Sequence, residues 1–177
     1  MNIVSNKRTY HFMGDIDEKN MRELSTWARE RLEEDKDGWI SLLITSVGGS
    51  VSSGFGFIDH MLEIQKAHIQ TTALGHTNSM AVPLFMCGER RIVTSRTNFL
   101  LHEIGRTFEQ HCRWSSSELR RLVKHFDAQE KMYAEFIANR TDGKTSATEI
   151  LKMMQEETSL WAEDIIRLGL AHEVSRE

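Results

Sequence analysis

The residues with most chemistry within reach lie in GHTNSMAVPLFMCG, from Gly75 to Gly88. There four polar residues follow a glycine and the chain then turns apolar. Ser79 stands at the junction. Serine is a preferred helix N-cap, which is the plain structural reading of it. Thr77 and Asn78 could cap equally well, so that role does not require a serine at this position. A strand-to-helix turn also exposes a side chain, and the helix start offers unpaired N–H groups that favour negative charge. An alkoxide or a tetrahedral oxyanion wants both.

A serine attacks near neutral pH only with a base beside it. His102 ends the apolar segment NFLLH, where an imidazole would reach the crevice that Ser79 enters. His11, His60, His68, His111, His125 and His172 have no comparable partner, and His76 lies in the turn itself, a poor place from which to approach Ser79 Oγ. Gly48-Gly49 follows a buried apolar run. The loop is no Walker A motif, since no Gly-Lys-Ser/Thr follows, and GxGxxG is absent. Glycine lets backbone approach a ligand and leaves N–H groups free to donate, which suits half an oxyanion hole or a peptide-binding edge. His111-Cys112 is an isolated pair without companions at zinc spacing, so no metal is expected. The acidic residues are too numerous for composition to choose a triad carboxylate.

These groups need elements to hold them. TYHFM (9–13) reads as a strand. Asp17 can cap a helix with Met21, Leu24, Trp27, Ala28 and Leu32 at spacings of three and four. WISLLI (39–44) is an unbroken apolar run, as expected of a strand covered on both faces. A glycine-serine loop over 47–56 precedes a helix with Phe57, Ile58, Met61, Leu62 and Ile64. IQTTAL (69–74) is the next strand, followed by the turn at Ser79 and its helix. Strands are expected at 91–94 and 98–101, and helices over 116–139, 146–154 and 161–168, the last stopped by Gly169. Alternating strands and helices predict an α/β domain with a parallel sheet and right-handed crossovers, with ligands beyond the strand C-termini. Gly48-Gly49, Ser79-Met80 and His102-Glu103 occupy such loops.

The chain has 177 residues, 40% hydrophobic and 27% charged, as expected of one globular domain. A formal charge of -4 argues against nucleic-acid binding. No apolar run has membrane-span length and the N-terminal MNIVSNKRTYHFMGD has no signal-peptide core, so no membrane partner is expected. Cys87 and Cys112 form no CxxC pair and suit a reduced, cytoplasmic setting.

SVGGSVSSG, GHTNSMAVPLFMCG, FLLHE and AEDIIRLGLAHEV, together with RTYHFMGDIDEKN near the start, occur in the order seen in the Clp protease proteolytic subunit family. The resemblance covers nearly the whole chain, 1–177, as one domain. It implies a ClpP/crotonase-like fold with a protruding helical handle over 116–139. It also implies a serine endopeptidase acting on peptides or unfolded proteins. By position, Ser79 is the implied nucleophile and His102 the implied base. The amides of Gly49 and Met80 are the implied oxyanion hole, with Gly48-Gly49 binding substrate. The family's aspartate falls on Glu157, with Glu156 as an alternative and Asp164 as a remoter one. No cofactor is implied, while homo-oligomeric rings and an ATPase unfoldase partner are. Three features depart from the family pattern. Glu103-Ile104 replaces Gln-Pro after the histidine, Glu156 replaces an arginine before the acid, and the segment ahead of the first strand is short. A catalytically silent subunit packing beside an active paralogue is the alternative reading. Acyl-CoA chemistry on the crotonase fold comes last, since it has no need of the serine-histidine pair.

Overall fold

The computed structural model describes residues 6–105 and 113–175. Strand β1 (Thr9–Met13) leads into α1 (Glu18–Glu34), which Asp17 opens by accepting the Asn20 amide at 2.7 Å. Such a cap satisfies an amide that the helix cannot. Met21, Leu24, Ala28 and Leu32 are the buried face of α1. There follow β2 (Ile40–Ser46), α2 (Val51–Asp59) with a π-helical extension (His60–Gln65), β3 (Ile69–Thr77) and α3 (Ala81–Met86). Next come β4 (Arg90–Val93), β5 (Asn98–Leu100), α4 (Ser116–Ala138) and α5 (Ala147–Gln155). The chain finishes with β6 (Ser159–Trp161), α6 (Ala162–Arg167) and β7 (Glu173–Val174).

The sheet runs β1-β2-β3-β4-β7, every pair parallel. Beside it β5 touches β3 through His76 and Asn98 and pairs antiparallel with β6. The architecture is therefore α/β with a mostly parallel sheet, as expected. Ile40, Leu42, Ile44, Ile69 and Ala73 are buried in β2 and β3. A strand enclosed on both faces has no solvent side on which to place polar residues, and this is why the run after Trp39 is apolar but for the buried Ser41.

Several boundaries differ from the sequence expectation, each for a tertiary reason. Trp39 stands outside β2, 40% exposed, and stacks on His68. The helix after β2 starts at Val51, so most of the glycine-serine run is helical. Ser50 caps it by accepting the Ser53 amide, and Gly54 faces Met80, whose Cε would lie 2.7 Å from an added Cβ. Strand β3 runs past Leu74 to Thr77, because Gly75 at φ 59 lets its register with β2 slip between Ile44 and Ser46. Trp161 ends β6 and precedes α6. The ribbon β5–β6 departs from a purely parallel sheet.

Helix α4 opens with a capping box between Ser115 and Glu118. At 23 residues it is about 35 Å long. Only Tyr133, Ala134 and Ile137, near its end, are buried in it, while Leu119 and Val123 are 45% and 57% exposed. The helix is seated by its C-terminal third. Among the described residues no helix is long and apolar enough to cross a membrane.

Candidate active site

Ser79 occupies a sharp turn between β3 and α3 with φ 52, a left-handed conformation that costs a non-glycine residue about 1 kcal/mol. Strained strand-to-helix turns of this kind push a serine hydroxyl out of the chain's own path. The surroundings hold the turn in place. The Ser79 amide donates to the Leu100 carbonyl at 2.8 Å, and the Asn78 amide donates to the Ser46 carbonyl at 2.9 Å. The Asn78 side-chain oxygen accepts the Leu100 amide at 3.0 Å, and the Tyr133 hydroxyl donates to the Ser79 carbonyl at 3.0 Å. Thus β2, β5 and α4 all fix the same two residues. The helix that follows is apolar throughout and wholly buried, which anchors the turn from the other side.

Gly48, at φ 100, lies directly against this turn. A Cβ there would stand 2.6 Å from Ser79 Cβ and 2.8 Å from the Asn78 carbonyl oxygen. Only glycine allows the two loops to approach so closely. Gly49 pairs with Ile16 as in a parallel sheet, with Ile16 donating to Gly48 and Ser50 donating to Ile16. Alternation along an extended chain turns the Gly49 N–H away from Ile16. Among the described residues neither the Gly49 nor the Met80 amide donates a hydrogen bond. These are the two amides that the family resemblance implies for an oxyanion.

Ser79, His102, Gly48 and Gly49 all line one cleft of about 620 Å³, with Phe126 and Gln129 of α4 along its side. His102 is half-buried, and its Nδ1 lies 2.7 Å from the Glu103 carbonyl oxygen. A carbonyl only accepts, so Nδ1 carries the proton and Nε2 presents its lone pair. Among the described residues no hydrogen bond joins Ser79 Oγ to His102.

The β5–β6 ladder ends just short of His102 and Glu157. Strands β5 and β6 set Leu100 against Ser159, and the Leu101 amide continues the ladder to the Thr158 carbonyl at 3.0 Å. Continued by one residue, that register would set His102 against Glu157, at the spacing where side chains of opposed residues meet. Glu157 itself is exposed and left-handed (φ 49), so the chain leaves the ladder there and its carboxylate makes no bond to the imidazole. Glu156 pairs with Lys152 at 3.8 Å. Asp164 is held by Arg167 at 2.7 Å, and that bond keeps its carboxyl below the ordinary range. Neither alternative acid is aimed at His102. His76 is exposed at the end of β3, away from the cleft, and the His111-Cys112 pair lies outside the described residues.

Three contributors escaped the sequence reading. Asn78, weighed only as a cap, ties the turn to the strand that leads to His102. Glu130 of α4 accepts the Ile104 amide at 2.9 Å and so pins the segment just after His102. Tyr133 reads as one more apolar position on α4, and its hydroxyl contact spans 54 residues of sequence. Helical spacing places Phe126, Glu130 and Tyr133 on one stripe, but nothing in that spacing names the surface it meets.

The family model of the Clp protease matches residues 1–177. The chain belongs to the Clp protease family, a family of peptidases, and its mixed α/β architecture is that of the ClpP/crotonase-like fold.

Proposed function

We propose that this member of the Clp protease family is a serine endopeptidase with Ser79 as nucleophile. Substrate lies extended along Gly48-Gly49 as an added strand. His102 Nε2 takes the Ser79 proton as Oγ attacks the scissile carbonyl, and the Gly49 and Met80 amides receive the oxyanion. His102 then protonates the leaving amine, and water releases the acyl-enzyme. Glu157 is the proposed third member, orienting and stabilising the imidazolium. The observation that carries the reading is the strained Ser79 sharing one cleft with His102, beside two amides that donate to nothing among the described residues.

A cytoplasmic homo-oligomer, built by rings of this chain and served by an ATPase unfoldase, belongs to the same proposal. The exposed Leu119 and Val123 of the projecting α4 support the oligomer. The open contact between Ser79 and His102, with Glu157 turned to solvent, favours a second reading, a silent subunit beside an active paralogue.

Intact-mass analysis after a fluorophosphonate probe separates the two. One adduct on the native chain, absent from Ser79→Ala, is the expected result. No adduct on a sample shown by its size to be assembled would give the silent-subunit reading the lead.

A further inference from the structure

We propose that Tyr133 is a positioning residue for the oxyanion hole, holding the Ser79–Met80 peptide so that its N–H points at the developing charge. The inference rests on the serine-peptidase reading above and adds a residue of the handle helix to its machinery.

The peptide group is planar and trans, so its C=O and N–H point in opposite directions. Fixing the Ser79 carbonyl oxygen therefore fixes the direction of the Met80 N–H. Two donors hold that oxygen. The Val82 amide at 2.9 Å is a bond within the turn itself and tilts with it. The Tyr133 hydroxyl at 3.0 Å comes from α4 and ties the carbonyl to a different element. A carbonyl oxygen has two lone pairs, so both donors are accommodated. Donation to the carbonyl also polarises the amide, which strengthens its N–H as a donor at the far end.

The bland reading is that Tyr133 merely fills the core. Its ring is buried, 4% exposed, and a phenylalanine would fill that volume equally well. A buried hydroxyl costs stability unless it finds a partner, and here the partner it finds is the nucleophile's own carbonyl. Burial pushes the phenol pKa upward, so the hydroxyl stays protonated and remains a donor. The neighbouring stripe of α4 is committed to the same cleft. Gln129 and Phe126 line it, and Glu130 holds the Ile104 amide beyond His102.

The test compares the assembled native chain with Tyr133→Phe, using a fluorogenic peptide substrate and a peptide boronate that forms a tetrahedral serine adduct. Removing an oxyanion donor outright costs 10²- to 10³-fold, so misdirecting one should lower kcat on the order of tenfold. KM should stay near native, and boronate affinity should fall by the same factor as kcat. A residue that only fills the core would be replaced by phenylalanine with kcat and boronate affinity both unchanged. Native activity with unchanged kcat and boronate affinity in Tyr133→Phe would overturn this inference while leaving the peptidase reading intact. A native chain that neither takes the probe at Ser79 nor cleaves peptide overturns both. Should the phenylalanine variant fail to assemble, a difluorotyrosine at position 133 supplies a more acidic, stronger donor. Boronate affinity is then expected to rise, and no change would overturn the proposal.

Discussion

The turn at Asn78–Ser79 and the turn at Glu156–Glu157 both carry a non-glycine residue with positive φ, yet they are held very differently. Around Ser79, two strands and α4 supply partners for backbone and side chain alike, and a wholly buried helix follows. Around Glu157 the backbone is bonded to the end of α5, through the Met154 and Met153 carbonyls, while the residue is exposed and its carboxylate has no partner among the described residues. Ser79 is set by core packing. His102 and Glu157 lie at the end of a short edge ribbon, whose register fixes where the residues start but not where their side chains point. The candidate site thus joins a rigid half to a half whose side chains are not bonded to each other.

The largest effect that could break this comparison is at Glu157. If the acid completes the site during catalysis, Glu157→Gln should lower kcat on the order of 10³- to 10⁴-fold, whereas Glu156→Gln and Asp164→Asn should stay near native. Peptide hydrolysis by the three variants checks this, and a Glu157→Gln enzyme within twofold of native would remove Glu157 from the triad. Next comes the rigid half. Gly48→Ala introduces a Cβ against Ser79 Cβ and the Asn78 carbonyl at a φ that disfavours it. It should cost about 2–4 kcal/mol of stability and abolish probe labelling of Ser79. Denaturant unfolding and intact mass read both.

A smaller effect is expected at Asn78. Asn78→Ala leaves the Leu100 amide without its acceptor and should cost about 1–2 kcal/mol, while Asn78→Asp, which keeps an acceptor oxygen, should recover most of it. The smallest concerns His172 at the far edge of the sheet, whose Nδ1 accepts the Arg91 amide at 3.1 Å. Burial, and then the Arg91 charge, lower its pKa from 6.5. The unfolded chain therefore takes up that proton more readily, so stability is full above about pH 6.5 and falls as pH drops below it. Replacing it by glutamine (His172→Gln) should flatten that slope in unfolding curves between about pH 5 and 7 while leaving Ser79 labelling unchanged.

Local rules made much of this legible beforehand. The cap at Asp17 starts its helix because its side-chain oxygen meets an amide only three residues away, and the structure shows the same device at Ser115 and Ser146. The buried strands declare themselves because enclosure on both faces removes polar alternation. Ser79 and His102 could be paired from the ends of two strands. Glu157 was reached through family resemblance, since acidic residues are common along the chain and spacing alone cannot choose among them. Where local rules failed, a distant partner had decided the matter. The glycine-serine run became helix from the Ser50 cap onward, its Gly54 placed where Met80 packs, and β3 ran on because Gly75 let its register slip.

By itself the sequence determined broadly which segments are strands and helices, that a serine stands at a strand-to-helix turn, and that a histidine follows a neighbouring apolar strand. These depend on neighbours within a few residues, and a hydrophobic pattern or a cap carries that information directly. Only the tertiary structure decided that Gly48 abuts the Ser79 turn, that Asn78 meets Leu100, that the β5–β6 ladder ends just before His102 and Glu157, and that Tyr133 holds the Ser79 carbonyl. Each of these joins residues far apart in the chain. Their meeting is set by strand register and by how α4 seats on the core, and both emerge from packing the whole domain at once.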